Sequence, residues 1–424
     1  MLIILIVAFV IFLLLGMPLA FVMGVSSMLS LLSNPQLPGL VIAQKIFTAC
    51  DSFVLMAIPF FMLAGHLMTE AGITEILAQF AKTLVGHIKG GLAHTTVLVG
   101  MLMAGISGSA NADASAIGSL MVPTLKKAGY DEGFTVSVIS AAAALGPIIP
   151  PSIMMIIYAS VTNISIAELF LAGFAPGIVA GIGFMIWSYI YAKRHGYLAS
   201  GRAAGLRTIW ASFRGAVWAL MMPVLVLGGI LSGAFTATES GAIAVVYGLA
   251  YGLISKRLNR EKIERAFLKA AVSTVAPMII ILFASVMSYL LTRENASEAL
   301  IGFLTGISSD PHILLIEIVI LCLILGMFID PTAIMLMIVP VLAPLIAQYG
   351  YIPLHFAIIV VVALVTGGLT PPVALVLYIV ASVDKTPLEK VVRPIWPFVF
   401  VVVGVIFLMI FLPQFALFIP SIIM

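Results

Sequence analysis

The chain has 424 residues, of which 62% are hydrophobic and 9% charged, against roughly 45–50% and about 25% in a soluble domain. So little charge cannot cover a water-facing surface. A soluble enzyme is excluded, no nucleic-acid partner is expected, and at about 20 apolar residues per crossing the chain has material for roughly ten passes. The net charge is only +3, so the placement of charges carries more information than their sum.

Met1 leads straight into an apolar run without a charged leader or an Ala-x-Ala site, so no removable signal is expected. Apolar segments follow at 2–15, 19–32, 53–68, 92–106, 116–125, 135–158, 171–191, 216–231, 242–254, 272–291, 313–329, 334–346, 358–380 and 395–412. Several are too short for a full crossing and are interrupted by Gly, Pro or small polar residues. Two further stretches, 72–89 and 294–308, are amphipathic and read as helices lying at the interface. Cys50 and Cys322 sit beside apolar runs and suggest no disulfide framework.

Basic residues cluster at Lys82/Lys89, Lys126–Lys127, Lys193–Arg214, Lys256–Lys269 and Lys385–Arg393, leaving only Lys45 and Arg293 elsewhere. If 92–125 enters and leaves on one face, all five clusters share a side, which the positive-inside rule makes cytoplasmic. Both termini are then periplasmic.

A repeat runs at an offset of 221 residues. Gly105 pairs with Gly326, Pro123 with Pro344, Gly129-Tyr130 with Gly350-Tyr351, Gly146 with Gly367, Pro150-Pro151 with Pro371-Pro372, Glu168 with Glu389 and Pro176 with Pro397. Apolar segments share Leu and Val by chance, but rarely a Gly/Pro skeleton. The first hairpin is flanked by basic residues. The second, 313–346, is flanked by Asp310, His312 and Gln348-Tyr349 and opens from the other side. Inverted repeats with matching Gly/Pro breaks are the architecture of secondary transporters.

Four segments could carry chemistry. The stretch 105–115 is small and polar. As an ordinary loop it would simply join two helices; as a hairpin tip at membrane depth it must be buried in protein or line a wet cavity. There Ser107, Gly108, Ser109, Asn111 and Asp113 would supply oxygens. In Leu145-Gly-Pro-Ile-Ile-Pro-Pro-Ser152 each proline removes an amide and clashes with the carbonyl four residues back. Pro147, Pro150 and Pro151 thereby free the carbonyls of Ala143, Gly146 and Pro147, which suit Na⁺. The half-helix beginning at Ser152 points its amide dipole into the gap. A plain kink is the simpler alternative, though three prolines exceed what a kink needs. In the second repeat, Gly326-Met-Phe-Ile-Asp-Pro-Thr332 forms the tip and Thr366-Gly-Gly-Leu-Thr-Pro-Pro372 the break, where Pro371 and Pro372 free Gly367 and Gly368. Asp330 aligns with Ser109. An ionisable group at membrane depth is a functional candidate by default, although Asp before Pro-Thr also suits a helix cap.

Expected substrate ligands are therefore Ser107, Ser109, Asn111, Asp113, Ser152, Asp330 and Thr370. The expected Na⁺ ligands are Ser107, Gly108, Ala143, Gly146, Pro147, Gly326, Asp330, Thr332, Gly367, Gly368 and Thr370. Glu239 reads as a helix-terminus charge and Glu317 stays unassigned. His66, His94 and His312 lack partners at zinc spacing, and no Gly-Lys dipeptide exists for a phosphate loop.

The stretch 105–180, with Ala-Ile-Gly-Ser-Leu-Met-Val-Pro, Lys-Lys-Ala-Gly-Tyr and Leu-Gly-Pro-Ile-Ile-Pro-Pro-Ser, resembles the large membrane subunit of tripartite ATP-independent periplasmic (TRAP) transporters. Gly16-Met-Pro-Leu-Ala and Phe235-Thr-Ala-Thr-Glu extend the resemblance along the chain. It implies an elevator-type, Na⁺-coupled importer of an organic acid in the bacterial inner membrane. Its partners would be a small four-helix membrane subunit, not fused here, and a soluble periplasmic substrate-binding protein. The Asn111-Ala-Asp113 tip is more polar than the form the resemblance implies for many dicarboxylate members, which points to a sialic-acid-like substrate and leaves a C4-dicarboxylate open.

The expected fold is an all-α polytopic membrane protein of inverted repeats. Scaffold helices and an arm occupy 1–90. The first transport repeat occupies 91–192, with hairpin 91–125 and broken helix 135–160. Central scaffold helices and a second arm occupy 193–311, and the second repeat 312–424, with hairpin 313–346 and broken helix 354–382. Two Na⁺ sites, one at each tip-and-break junction, would flank a substrate carboxylate held between the Ser107–Asp113 tip and Ser152. The rival readings are an ion exchanger or channel without organic substrate and an intramembrane enzyme; the Asp-rich clusters usual in the latter are absent from the sequence.

Overall fold

The computed structural model describes residues 1–34, 37–201 and 203–424. Arg202, one of the Lys193–Arg214 basic residues, lies outside them. Among the described residues there are twenty α-helices, one short 3₁₀ turn and no strand. Six helices are long and apolar enough to span a bilayer, and Leu40–Cys50 with Val54–Glu70 makes a seventh candidate bent by 59°.

The first hairpin consists of Gly91–Ser107 and Ala110–Lys127. Its reversal needs Gly108, whose φ of +62° lies in the left-handed region that side chains resist. Ser109 then opens the second arm as N-cap, accepting from the Ala112 amide. The first broken helix follows as Glu132–Ala144 and Ile153–Thr162, interrupted where the three prolines fall. The second hairpin is Pro311–Gly326 and Pro331–Tyr349, and the second broken helix is Pro353–Leu369 and Leu375–Asp384. The expected repeat is thus matched element by element.

The two repeats interlock. The second hairpin's Pro331–Tyr349 arm packs on Ile153–Thr162 of the first broken helix, and Leu375–Asp384 of the second packs on the first hairpin's Ala110–Lys127 arm. At the basic end of the first hairpin, Lys126 pairs with Asp384 of the second repeat and with Glu132, which also holds Lys390 at 2.8 Å. A second set of helices surrounds this unit. Ala57–Glu70 packs on Ala237–Ile254 and on the 34-residue Arg260–Arg293, with Glu70 pairing Lys269 at 2.7 Å. The sets meet where Ala57–Glu70 and Leu206–Leu231 pack against Gly91–Ser107, and where Arg260–Arg293 packs against Pro331–Tyr349.

Three features depart from the sequence reading. Helix Leu40–Cys50 fell outside every apolar segment because polar residues interrupt it. A terminal helix, Pro413–Ile423, follows the break at Leu412. The amphipathic stretch 72–89 forms Ile73–Val85, and its apolar residues Ile73, Leu77 and Phe80 are buried in the protein, against the first hairpin and Leu206–Leu231. The apolar face that suggested a lipid interface is satisfied by neighbouring helices.

Candidate ion and substrate site

Both tips dock on their breaks in the same way. The amide of Ile153, which starts the second half of the first broken helix, donates to the carbonyl of Gly108 at 3.3 Å. In the second repeat the amide of Val373 donates to the carbonyl of Met327 at 3.1 Å. A β-carbon at Gly108 would collide with the Pro151 carbonyl, so the tip touches the break backbone to backbone.

At the first junction Asp113 is fully buried. Its Oδ1 accepts from Ser107 Oγ at 2.6 Å, and Ser107 Oγ also accepts from the Ser109 amide at 3.2 Å. The other oxygen, Oδ2, has no hydrogen-bond partner among the described residues. It faces Gly146: a β-carbon there would lie 2.7 Å from Oδ2 and 3.1 Å from the Ala143 carbonyl oxygen. A glycine at the break therefore admits a carboxylate from the tip. A buried carboxylate without a counter-charge is costly, and carboxylate plus carbonyl oxygens are the ligand set of a hard cation. Ser107, Gly108, Asp113, Ala143 and Gly146 are thus brought together.

The other expected ligands are placed less uniformly. Ser152 is fully buried, and its Oγ donates to the Pro147 carbonyl at 2.6 Å while accepting from the Met155 amide at 3.3 Å. The hydroxyl therefore caps the half-helix, and the carbonyl that Pro151 freed is taken up by it. Asn111 is exposed and Ser109 partly so at the tip surface. Of the freed carbonyls, Ala143 and Gly367 accept turn bonds from Gly146 and Thr370. One accepted bond leaves a carbonyl a second lone pair.

The second junction is built from glycine contact. Gly326 meets Gly367 backbone to backbone, and Gly368 lies against Pro331. Thr370 Oγ1 donates to the Thr366 carbonyl at 2.7 Å, and Asp330 Oδ1 accepts from the Thr332 amide at 2.9 Å, which makes Asp330 the N-cap of its arm. Thr332 Oγ1 lies 3.5 Å from Met154 Sδ, so the second tip reaches the half-helix that follows the first break. This junction is the more open: Pro372 and Phe328 are exposed, whereas 141–151 is buried throughout. Glu239 closes a capping box with Thr236, in keeping with its reading as a helix-terminus charge.

Two residues that sequence reasoning left aside matter here. Gly65, in the surrounding helix Ala57–Glu70, would place a β-carbon 3.3 Å from Ser107 Cα, so this small residue lets the first tip lie against its surroundings. Glu317, on the first arm of the second hairpin, has both carboxylate oxygens buried and without a hydrogen-bond partner among the described residues. Only its isolation in an apolar run signalled it.

Interlocked inverted repeats, each with a hairpin tip seated on a helix break, in a chain with six helices long and apolar enough to span a bilayer, define a multi-pass membrane transport protein. Comparison with known proteins makes the assignment particular: the chain belongs to the family described as tripartite ATP-independent periplasmic transporter, DctM component, whose model matches residues 6–415. It is 37% identical over 380 residues to the sialic acid TRAP transporter large permease SiaM of Vibrio cholerae, covering 89% of each chain. It is 36% identical to the C4-dicarboxylate large permease DctM of Pseudomonas aeruginosa, covering 90% of this chain and 89% of that one. The crystal structure of the Alcanivorax borkumensis YdaH transporter shares the fold, with a TM-score of 0.62 at 15% identity over 95% of this chain and 96% of that one. The chain is thus a TRAP transporter large permease, and this is a family of transport components rather than enzymes.

Proposed function

We propose that the protein drives Na⁺-coupled uptake of an organic acid across the bacterial inner membrane, with a small four-helix membrane subunit and a periplasmic binding protein that delivers the substrate. The observation that carries the Na⁺ reading is Asp113 Oδ2, buried without a partner among the described residues, against Gly146 and close to the Ala143 carbonyl at the break. Na⁺ bound there by Asp113, Ser107 and the Ala143 and Gly146 carbonyls would supply the missing charge. A second Na⁺ would sit among Gly326, Gly367, Gly368 and Thr370. With both junctions occupied, the substrate carboxylate would lie between Ser109 and Asn111 of the first tip and Asp330 and Thr332 of the second, held by the added positive potential. Asp113 thereby moves from the substrate to the cation in our assignment, and Ser152 becomes a support for the half-helix.

The interlocked repeats would carry the cargo inward as one unit, sliding along Ala57–Glu70 and Arg260–Arg293, which is an elevator motion. The relatives' names supply the substrate class: a sialic acid and a C4-dicarboxylate are both carboxylates. The test is reconstitution of the chain in vesicles with its small membrane subunit and binding protein. Labelled N-acetylneuraminate or succinate should accumulate on an inward Na⁺ gradient and not when K⁺ replaces Na⁺. Full uptake on a proton gradient alone would sink the reading.

A further inference from the structure

A cavity of about 520 Å³ lies apart from both junctions. Its walls are Leu40–Cys50, the far half of Arg260–Arg293, the end of the first broken helix and the Pro331–Tyr349 arm. It therefore sits between the surrounding helices and the interlocked repeats, on the side away from the five basic clusters. Its polar lining includes Lys45, Thr48, Ser52, Ser160, Ser285 and Thr292, with no acidic side chain among the lining residues.

Lys45 is the only cation in that lining and has no ion pair among the described residues. Its Nζ stands 4.6 Å from the centroid of the Tyr289 ring, itself part of the wall. A ring face attracts the ammonium without neutralising it, so Lys45 is held in place with its charge still available. A cleft with one sign of charge and low-dielectric walls concentrates the opposite ion. The floor is apolar and includes Leu336, which lies one turn beyond Thr332 on the same helix face, about 6 Å along the axis.

We propose that this cavity is a carboxylate-binding vestibule in which Lys45 pairs with the organic acid before it reaches the tips, its non-carboxylate part facing the serine hydroxyls and the apolar floor. The inference rests on the proposed function for the identity of the acid, but the anion site stands on Lys45 and the cavity alone. Released substrate would thus meet a fixed positive charge in a cavity whose wall, at Leu336, comes within one helical turn of Thr332 at the second tip, which favours forward transfer over loss to the periplasm.

The test places a reporter on the cavity wall, Ala49→Cys, in the full transporter with Cys50→Ser. With each rate divided by that reagent's rate on a free thiol in solution, methanethiosulfonate ethylsulfonate, an anion, should label it at least fivefold faster than the trimethylammonium reagent of similar size. Lys45→Gln should bring the two rates together and Lys45→Arg should preserve the difference. Succinate or N-acetylneuraminate should slow labelling by the anionic reagent where sucrose does not. Thr48→Cys serves as a second reporter should the first variant fold poorly. Equal rates for the two reagents, selectivity that survives Lys45→Gln, or no protection by either acid would overturn the vestibule. Selective, acid-protected labelling in a transporter that accumulates neither acid would refute the proposed function while supporting the site.

Discussion

Gly326 and Gly367 meet with no side chain between them: a β-carbon on either would stand 2.8 Å from the α-carbon of the other. Their counterparts 221 residues earlier, Gly105 and Gly146, do not meet. Gly105 faces Pro223, and Gly146 faces Asp113 Oδ2. The same glycine skeleton thus serves backbone contact in one repeat and admission of a carboxylate in the other, so the two junctions are not chemically equivalent.

Asp113→Asn keeps the shape and the acceptor for Ser107 but removes the charge. The half-saturating Na⁺ concentration should rise at least tenfold, in line with about 1.5–3 kcal/mol for a bond to a charged group. The Na⁺-dependent rise in melting temperature should shrink with it, because a ligand stabilises only the state it binds. An unchanged Na⁺ dependence would remove Asp113 from the cation site.

Gly146→Ala forces a methyl group against Asp113 Oδ2. Na⁺-dependent uptake should fall more than tenfold. Gly404→Ala, where nothing lies within 4 Å of the added carbon, should transport normally. Equal behaviour of the two variants would contradict the close approach.

Ser152→Ala removes the cap and the bond to the Pro147 carbonyl. A stability loss of about 1 kcal/mol is expected, with the half-saturating substrate concentration changed less than twofold. A large affinity loss at unaltered melting temperature would return Ser152 to the substrate site.

The interlock and the sliding surface separate in two further variants. A β-carbon at Gly118 would lie 3.5 Å from Val383 Cγ2, across the two repeats. A disulfide between Gly118→Cys and Val383→Cys should therefore leave uptake intact if the repeats move as one unit. Gly65→Val, which thickens the surrounding helix against Ser107, should stop uptake while the protein still folds and binds Na⁺. Inhibition by the disulfide would argue against rigid movement of the joined repeats.

Much of this molecule was legible in the chain itself. Composition decided the membrane class because a bilayer accepts little charge. The 221-residue Gly/Pro register revealed the repeats because proline and glycine act on the local backbone, wherever the chain later packs. The hairpin tips and breaks followed from the same residues. Helix Leu40–Cys50 is hard to read from the sequence because Gln44, Lys45 and Thr48 interrupt its apolar residues, and the structure shows it packed on Arg260–Arg293 and forming a cavity wall. Tertiary structure alone decided which oxygens remain unsatisfied. Ser152 bonds locally, to the Pro147 carbonyl and the Met155 amide, but whether Asp113 meets solvent or Gly146 depends on how a tip from one helix pair seats against a break more than thirty residues away. Hydrogen-bond partners across such a distance are set by packing, and no local pattern in the chain encodes them.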